Sequence, residues 1–309
     1  MPLPPATVAL ASPAWGGLAL LLGAGLAAYL AFLTGLTLRR LRNPPRRTYA
    51  WALANGRPGD PSELPGAARA FEAWSFRRGG LDLPVWEIRG DDPAGPIVVC
   101  THGWAGSRVE MLARVPALAA CSSRVVLWDM PGHGEAGGAC TLGGREARDL
   151  VGLVETIGEP VVLHGFSLGA RVSVEAARLT GARVRGLILE AASPTPFTPA
   201  WNMLGAIAFP RLVNLPLALA LNGLVSGRGA GSAWRDLGGG GPIGVPTLVL
   251  HGDRDELTPA GQAERLAAAL GAACVVVPGA GHADLFDHAA AREAAAGFLR
   301  ESRGAVSGA

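Results

Sequence analysis

The sequence predicts an α/β protein: a mostly parallel central sheet flanked by helices, preceded by one apolar helix. Two patterns carry this prediction. From residue 71 to residue 301, short runs rich in Val, Ile and Leu alternate with helix-sized segments, as expected of strands buried on both faces of a parallel sheet. Before them, residues 16–38 contain neither a charge nor a proline.

The apolar run at residues 16–38 exceeds the roughly 20 residues that cross a hydrocarbon core, so we interpret it as a transmembrane anchor. A cleaved signal peptide or a core helix is the alternative. No basic residue precedes the run, and signal sequences have only about 7–15 apolar residues. Arginines follow at positions 39, 40, 42, 46 and 47. The positive-inside rule therefore predicts a single-pass membrane protein in which the large domain after the span is cytoplasmic.

The flanking segments divide the rest of the chain. Residues 1–15 are expected to form an amino-terminal tail, and residues 302–309 a disordered tail. Residues 39–70 begin basic and continue rich in Pro and Gly, which predicts a juxtamembrane segment and linker. Residues 71–301 are then the globular domain.

Composition argues against several classes of partner. The 27 basic and 25 acidic residues leave a net charge of +2, which gives a nucleic-acid role little electrostatic support. The cysteines form no CxxC pair and are expected to be reduced, partly buried thiols: Cys100, Cys121, Cys140 and Cys274. Neither a metal-ligand cluster nor a GxGxxG in a first strand–turn–helix unit occurs, so we expect no cofactor and no metal.

Eight runs are predicted to be strands. They lie at residues 73–78, 84–90, 96–102, 124–130, 160–165, 184–191, 245–252 and 273–279. Helix-sized segments lie between or after the later runs, at residues 109–120, 142–157, 168–179, 259–270 and 283–299. Strand–helix–strand repetition favours a layered α/β domain with right-handed crossovers.

Polar residues follow several of these strands. In parallel sheets, binding and catalytic residues lie at the carboxyl ends of the strands. In chain order they are His102, Asp129, His133, Ser167, Asp253, Asp255 and His282. A serine, an acid and a histidine thus each follow a strand in that order. His102 and His133 are expected to be structural loop histidines.

This series resembles the α/β-hydrolase family over about residues 72–300. The resemblance rests on the His-Gly turn at 102–103, the segment DMPGHG at 129–134, the elbow GFSLG at 165–169, and the late acid and histidine. It implies an α/β-hydrolase fold and a serine hydrolase of the carboxylesterase, lipase or thioesterase kind.

The resemblance also assigns roles. Ser167 is the expected nucleophile and His282 the base that takes its proton. Asp255 is the expected acid, since it lies four residues after a strand-end histidine as in the family. Asp253 and Glu190 are the alternatives.

The turn around the serine should also build an oxyanion hole. Its donors are expected to be the backbone N–H groups of Trp104 and Leu168. Gly165 and Gly169 are expected at the elbow because a strained strand-to-helix turn leaves no room for bulkier residues.

Between residues 191 and 243 the alternation breaks down, and the resemblance implies a short cap insertion over the site. Its apolar character suggests an acyl pocket. The alternatives are a second membrane span, interrupted by Pro210, Arg211, Asn214 and Pro216, a face resting on the bilayer, or apolar residues that merely pack the cap.

The expected function is a membrane-anchored serine hydrolase that cleaves an ester or thioester through an acyl-enzyme. Its partners would be a small, apolar ester or acyl substrate and, through the anchor, the lipid bilayer. An acyltransferase or a peptidase/amidase on the same triad, or a non-catalytic scaffold of this fold, is the alternative.

Overall fold

The computed structural model describes residues 13–180, 183–204 and 211–303. An eight-stranded sheet lies at its centre. Its strands are β1 (Phe71–Arg78), β2 (Leu81–Arg89), β3 (Ile97–Thr101), β4 (Arg124–Trp128), β5 (Val161–Phe166), β6 (Val184–Glu190), β7 (Thr247–Gly252) and β8 (Ala273–Val277).

The described helices are, in chain order, α1 (Pro13–Arg42), α2 (Tyr49–Ala54), α3 (Arg108–Met111), α4 (Val115–Ala119), α5 (Gly144–Ile157), α6 (Leu168–Thr180), α7 (Phe197–Leu204), α8 (Arg211–Val225), α9 (Ala260–Leu270) and α10 (Ala289–Glu301). α7 and α8 lie within the segment predicted to be the cap.

The strand order is β1-β2-β4-β3-β5-β6-β7-β8. β2 pairs antiparallel with β1 and β4, and all other pairs are parallel. The predicted mostly parallel sheet is therefore confirmed. The carboxyl ends of β3 to β8 meet at one edge, which brings together the turns that follow these strands.

The core lies on both faces of the sheet. Neighbouring residues of β3, Val98 and Val99, are both fully buried but belong to different apolar clusters. Side chains alternate between faces along a strand, so each face packs its own layer. This double burial explains why the strands appear in the sequence as continuous apolar runs.

Two predicted helices differ from the structure. The segment 109–120 forms α3 and α4, joined by a 3-10 turn at Leu112–Arg114, because Pro116 lacks the N–H that would continue one helix. The segment 283–299 forms a 3-10 turn at Leu285–Asp287 and becomes α-helical only at Ala289. The carboxylate of Asp284 accepts from Gly281 N at 2.6 Å and fixes a turn there instead.

The predicted span 16–38 lies within a longer helix, α1, which ends with three arginines in its last turn. Cations are favoured at a helix carboxyl terminus. Within the described residues, α1 is the one helix long and apolar enough to cross a membrane by length and composition. Most of its apolar side chains are exposed, but Thr34, Thr37 and Leu41 are buried.

The buried end of α1 packs beside α8. Thr34 Oγ1 donates to Asn214 Oδ1 at 3.3 Å, and Arg42 Nη1 donates to Asn222 Oδ1 at 3.2 Å. Both bonds join residues that are 180 positions apart. The two helices therefore run parallel in a fixed register.

The stretch predicted to be a linker, 39–70, lies on the domain. It contains α2, and Arg46 Nη1 donates to the carbonyls of Gly134 and Ala136 at 3.2 and 2.7 Å. Of the predicted tails, residues 1–12 and 304–309 lie outside the described residues.

Candidate active site

Ser167 occupies a strained turn between β5 and α6. Its φ of 53° lies in the left-handed region, which costs energy for a residue with a side chain. The turn is fixed because Ser167 N donates to the Glu190 carbonyl at 2.8 Å. The hydroxyl thereby projects from the sheet edge where the turns after the strands meet.

The flanking glycines are needed for close packing of the backbone. A Cβ on Gly165 would come within 2.5 Å of Ala170 Cα, and one on Gly169 within 2.7 Å of the His102 carbonyl oxygen. Such contacts are far shorter than van der Waals distances. Glycine at both positions thus lets α6 approach β3 and β5 closely.

Three candidate catalytic side chains form a continuous chain of hydrogen bonds. His282 Nε2 lies 3.0 Å from Ser167 Oγ, and His282 Nδ1 lies 2.7 Å from Asp255 Oδ2. An ionised carboxylate only accepts hydrogen bonds, so Nδ1 carries the proton and Nε2 is free to accept the serine proton. The turns after β5, β7 and β8 supply these residues.

Asp255 is buried and held by its own turn. Its Oδ1 accepts from Leu257 N at 2.9 Å and Thr258 N at 2.8 Å. Burial alone would raise the pKa of Asp255, but the hydrogen bond and charge of His282 and the Thr258 amide bring this pKa below its ordinary value. The carboxylate is therefore ionised at neutral pH, as required to stabilise an imidazolium.

The two alternative acids have other partners. Asp253 Oδ1 accepts from Gly279 N at 2.7 Å and so shapes the turn beside the site. Glu190 accepts from Arg114 Nη2 at 2.6 Å and Nε at 3.1 Å. The structure thus brings Asp255, rather than Asp253 or Glu190, to His282.

Arg114, Glu190 and His164 form a buried cluster that sequence reasoning missed. Burial would raise the pKa of Glu190, but the charge and hydrogen bonds of Arg114, aided by His164, lower it to about 2. Arg114 also lies over the ring of Phe166 at 4.7 Å and donates to the Ala283 carbonyl at 3.3 Å. Glu190 could be noticed as a strand-end acid, but nothing in the local sequence marks Arg114.

The expected oxyanion-hole residues line the same cavity as Ser167. Leu168 is the first residue of α6, so its amide has no partner within the helix, and the helix dipole favours negative charge there. Trp104 lies on the turn after β3. Its indole Nε1 donates to the Leu41 carbonyl at 3.0 Å, which ties this turn to the end of α1.

Two buried histidines support the turn that holds Trp104. Met130 N donates to His102 Nε2 at 3.0 Å, while His102 Nδ1 lies 2.8 Å from the Gly103 carbonyl. Burial lowers the pKa of His133 to about 4, so this ring is neutral. Both side chains fit the predicted structural role.

The cavity beside Ser167 is narrow, about 60 Å³, and mainly apolar. Its walls come from α1, the turns after the strands, and α7, and include Leu41, Leu142, Met203 and Leu204. The arrangement can hold an apolar group against a serine hydroxyl. Among the described residues, no group of three or more His, Cys, Asp or Glu side chains is placed to hold a metal ion.

Comparisons with known proteins show the family and the fold. The profile of the alpha/beta hydrolase family matches residues 98–296. The chain is 29% identical over 231 residues to a pimeloyl-[acyl-carrier protein] methyl ester esterase of Chromobacterium violaceum, a match that covers 63% of this chain and 90% of that protein.

A second relative is matched over less of its length. The chain is 30% identical over 150 residues to the dihydrolipoyllysine-residue acetyltransferase component of the acetoin cleaving system of Pseudomonas putida, covering 43% of this chain and 40% of that protein. Among solved structures, an esterase of Pyrococcus furiosus superposes with a TM-score of 0.65 at 17% identity, covering 84% of this chain and 98% of that one.

The protein is a serine hydrolase of esterase-like type. The chain belongs to the alpha/beta hydrolase family, so the fold implied by its strand-end motifs is confirmed.

Proposed function

We propose that the protein is a membrane-anchored serine esterase that cleaves an apolar acyl ester or thioester through an acyl-enzyme on Ser167. The observation that carries this proposal is the chain of hydrogen bonds from Ser167 through His282 to Asp255, at 3.0 and 2.7 Å.

In the first half-reaction, Ser167 Oγ attacks the acyl carbon while its proton passes to His282 Nε2. The Asp255 carboxylate stabilises the imidazolium. The oxyanion accepts hydrogen bonds from the amides of Trp104 and Leu168, each worth about 10²–10³ in turnover. The tetrahedral intermediate then collapses: the bond to the leaving oxygen or sulfur breaks, and His282 returns its proton to that atom.

In the second half-reaction, water replaces the leaving group. His282 Nε2 takes a proton from the water as its oxygen attacks the acyl carbon, which forms a second oxyanion in the same hole. The ester bond to Ser167 breaks, the serine regains the proton from His282, and the carboxylic acid leaves.

The cavity supports an apolar acyl group as the part of the substrate that is bound. Its lining is mostly apolar, with Leu41, Met203 and Leu204 among the walls. The relative from Chromobacterium violaceum is named as an esterase of a methyl ester carried on acyl-carrier protein, which fits an acyl chain in the pocket. Acyl transfer and amide cleavage by the same three side chains are the alternatives on this fold.

The packing of α1 supports an anchor that stays attached, in preference to a cleaved signal sequence. Thr34, Thr37 and Leu41 in its last turns are buried, and Leu41 forms one wall of the cavity. Cleavage would therefore remove part of the site. The arginines that follow the span favour a cytoplasmic domain.

A panel of p-nitrophenyl esters of graded chain length tests this function. We expect Ser167→Ala to lower kcat by about 10⁴ or more, as loss of a triad serine does. The matched control is Ser173→Ala, a buried serine on α6, which should retain activity close to wild type. Similar rates for Ser167→Ala and wild type would contradict the proposal.

A further inference from the structure

One face of α8 is apolar and uncovered. This face carries the exposed side chains of Val213, Leu217, Leu221, Leu224 and Val225, and Leu212 is exposed at the amino-terminal end, while Leu215, Ala218 and Leu219 on the other face are buried. A helix that is apolar all round is normally buried in protein or in a membrane. The 15 residues of α8 are too few to span a bilayer.

The pairing with α1 sets the position of α8 along the anchor. The bonds Thr34–Asn214 and Arg42–Asn222 fix a parallel register. Leu212 therefore lies level with about residue 32 of the anchor, and Leu224 lies beyond its last residue. The exposed face thus continues the apolar surface of α1.

The membrane depth of this register follows from the length of the span. A hydrocarbon core of about 30 Å takes about 20 helical residues. If the core begins at Trp15, where an aromatic ring suits the far interface, it ends near Thr34. The exposed arginines Arg39 and Arg40 then lie in the headgroup layer, and the first turns of α8 lie at the hydrocarbon boundary.

The amino-terminal end of α8 has the chemistry of an interface. The Arg211 guanidinium lies 4.3 Å from the centre of the Trp201 ring. Arginine and tryptophan are both favoured where apolar and charged layers meet, because each has an apolar body and a polar tip. Arg211 adds to the charge of Arg39 and Arg40, which suits anionic headgroups.

We propose that α8 runs alongside the anchor and that its amino-terminal end, with the exposed Leu212 and Val213, enters the leaflet on the hydrolase side. The inference rests on the proposed membrane anchoring. Helix α8 of the cap and helix α1 of the anchor then face the membrane together. Leu41 of α1 and Met203 of α7 line the acyl cavity, so the cavity lies close to that leaflet, and the substrate that fits this position is an ester dissolved in lipid.

Depth-dependent fluorescence quenching of the full chain tests this proposal. An environment-sensitive fluorophore is attached to a single exposed cysteine, in vesicles of phosphatidylcholine and phosphatidylglycerol with brominated tails. Three variants, each in a Cys274→Ser background, carry it: Leu26→Cys in the anchor, Leu212→Cys and Leu224→Cys in α8. The native exposed thiol of Cys274, on β8, is the matched control. Each protein must unfold thermally like wild type.

We expect brominated tails to quench the fluorophore roughly twofold at Leu212, because this residue lies level with about residue 32 of the anchor, just inside the hydrocarbon boundary near Thr34. Quenching should be stronger at Leu26, weaker at Leu224 and absent at Cys274, and aqueous iodide should give the reverse order. Quenching at Leu26 without quenching at Leu212 would overturn the inference and leave the anchor standing. A fluorophore at Leu212 shielded from both quenchers would mean that protein, such as a second copy, covers α8, which also overturns it.

A fluorophore at Leu26 that lipid does not quench would overturn both the anchor and the entry of α8 into the leaflet. The ester panel would then still measure the chemistry of Ser167 independently.

Discussion

At the residue scale, three carboxyl groups near His282 differ in their partners. Asp253 accepts from a turn amide, Glu190 pairs with Arg114, and Asp255 accepts from His282 Nδ1. Asp253 and Asp255 follow β7 and Glu190 ends β6, so their sequence positions alone left the acid open. The direction in which each turn aims its carboxylate decides among them, and that direction depends on the folded sheet.

Asp255→Asn should lower kcat by about 10⁴, because an amide would favour the wrong histidine tautomer. Asp253→Asn is the control, in the same turn, and should keep kcat within about tenfold of wild type because it touches only a structural amide. Steady-state ester hydrolysis measures both. A larger loss in Asp253→Asn than in Asp255→Asn would refute the assignment of the acid.

Glu190→Gln should destabilise the protein by about 3–5 kcal/mol, because it leaves the charge of Arg114 buried without its partner. Urea unfolding measures this free energy. Glu159→Gln removes a carboxylate from an exposed pair with Arg124 and should cost at most about 1 kcal/mol. Equal losses in the two variants would contradict the structural role of the buried pair.

The pair of Glu190 with Arg114 also predicts that the free energy of unfolding depends on pH. The pKa of Glu190 is lowered from 4.5 to about 2, so the unfolded chain binds more protons than the native state in this range. This stabilisation is present above pH 4.5 and is lost as pH falls towards 2. Urea unfolding across that range should show a steeper loss in wild type than in Glu190→Gln; parallel curves would contradict it.

At the element scale, the elbow depends on the close approach of α6 to β3. Gly169→Ala should destabilise the protein by several kcal/mol, since its Cβ would collide with the backbone of Thr101 and His102. Gly261→Ala is the matched control, also the second residue of a helix, with no heavy atom within 4 Å of its Cβ.

Alanine is a better helix former than glycine, so Gly261→Ala should raise stability by up to about 1 kcal/mol. Denaturant unfolding of both variants makes the comparison. An unchanged midpoint in Gly169→Ala would show that the elbow tolerates a side chain.

Several elements could be predicted from sequence because their cause is local. Strands buried on both faces give continuous apolar runs, and all eight predicted strands exist. The break between α3 and α4 comes from Pro116 and could have been predicted. The bond from Trp104 to the Leu41 carbonyl and the pair of Arg114 with Glu190 could not, because both join segments distant in the chain.

At the scale of the whole molecule, helix α1 and the hydrolase domain pack against each other. The end of α1 contributes Leu41 to the cavity and packs beside α8. The sequence predicted a span, a linker and a separate domain. It held no local signal that the span would continue into a wall of the site.

The orientation of the whole molecule can be tested with its exposed thiol. Cys274 is the exposed cysteine, whereas Cys100, Cys121 and Cys140 are buried. If the domain is cytoplasmic, a membrane-impermeant maleimide should label Cys274 in inverted vesicles and leave it unlabelled in intact cells. Cys274→Ser controls for labelling elsewhere, and labelling of intact cells would contradict the orientation.

The most direct test of the central claim, that Ser167 is an activated nucleophile, is mass spectrometry of the full-length protein after reaction with a fluorophosphonate. We predict one adduct, located on the peptide that contains Ser167, and its loss in Ser167→Ala and strong reduction in Asp255→Asn. An adduct that persists in Ser167→Ala, or wild-type protein that does not react, would contradict the claim.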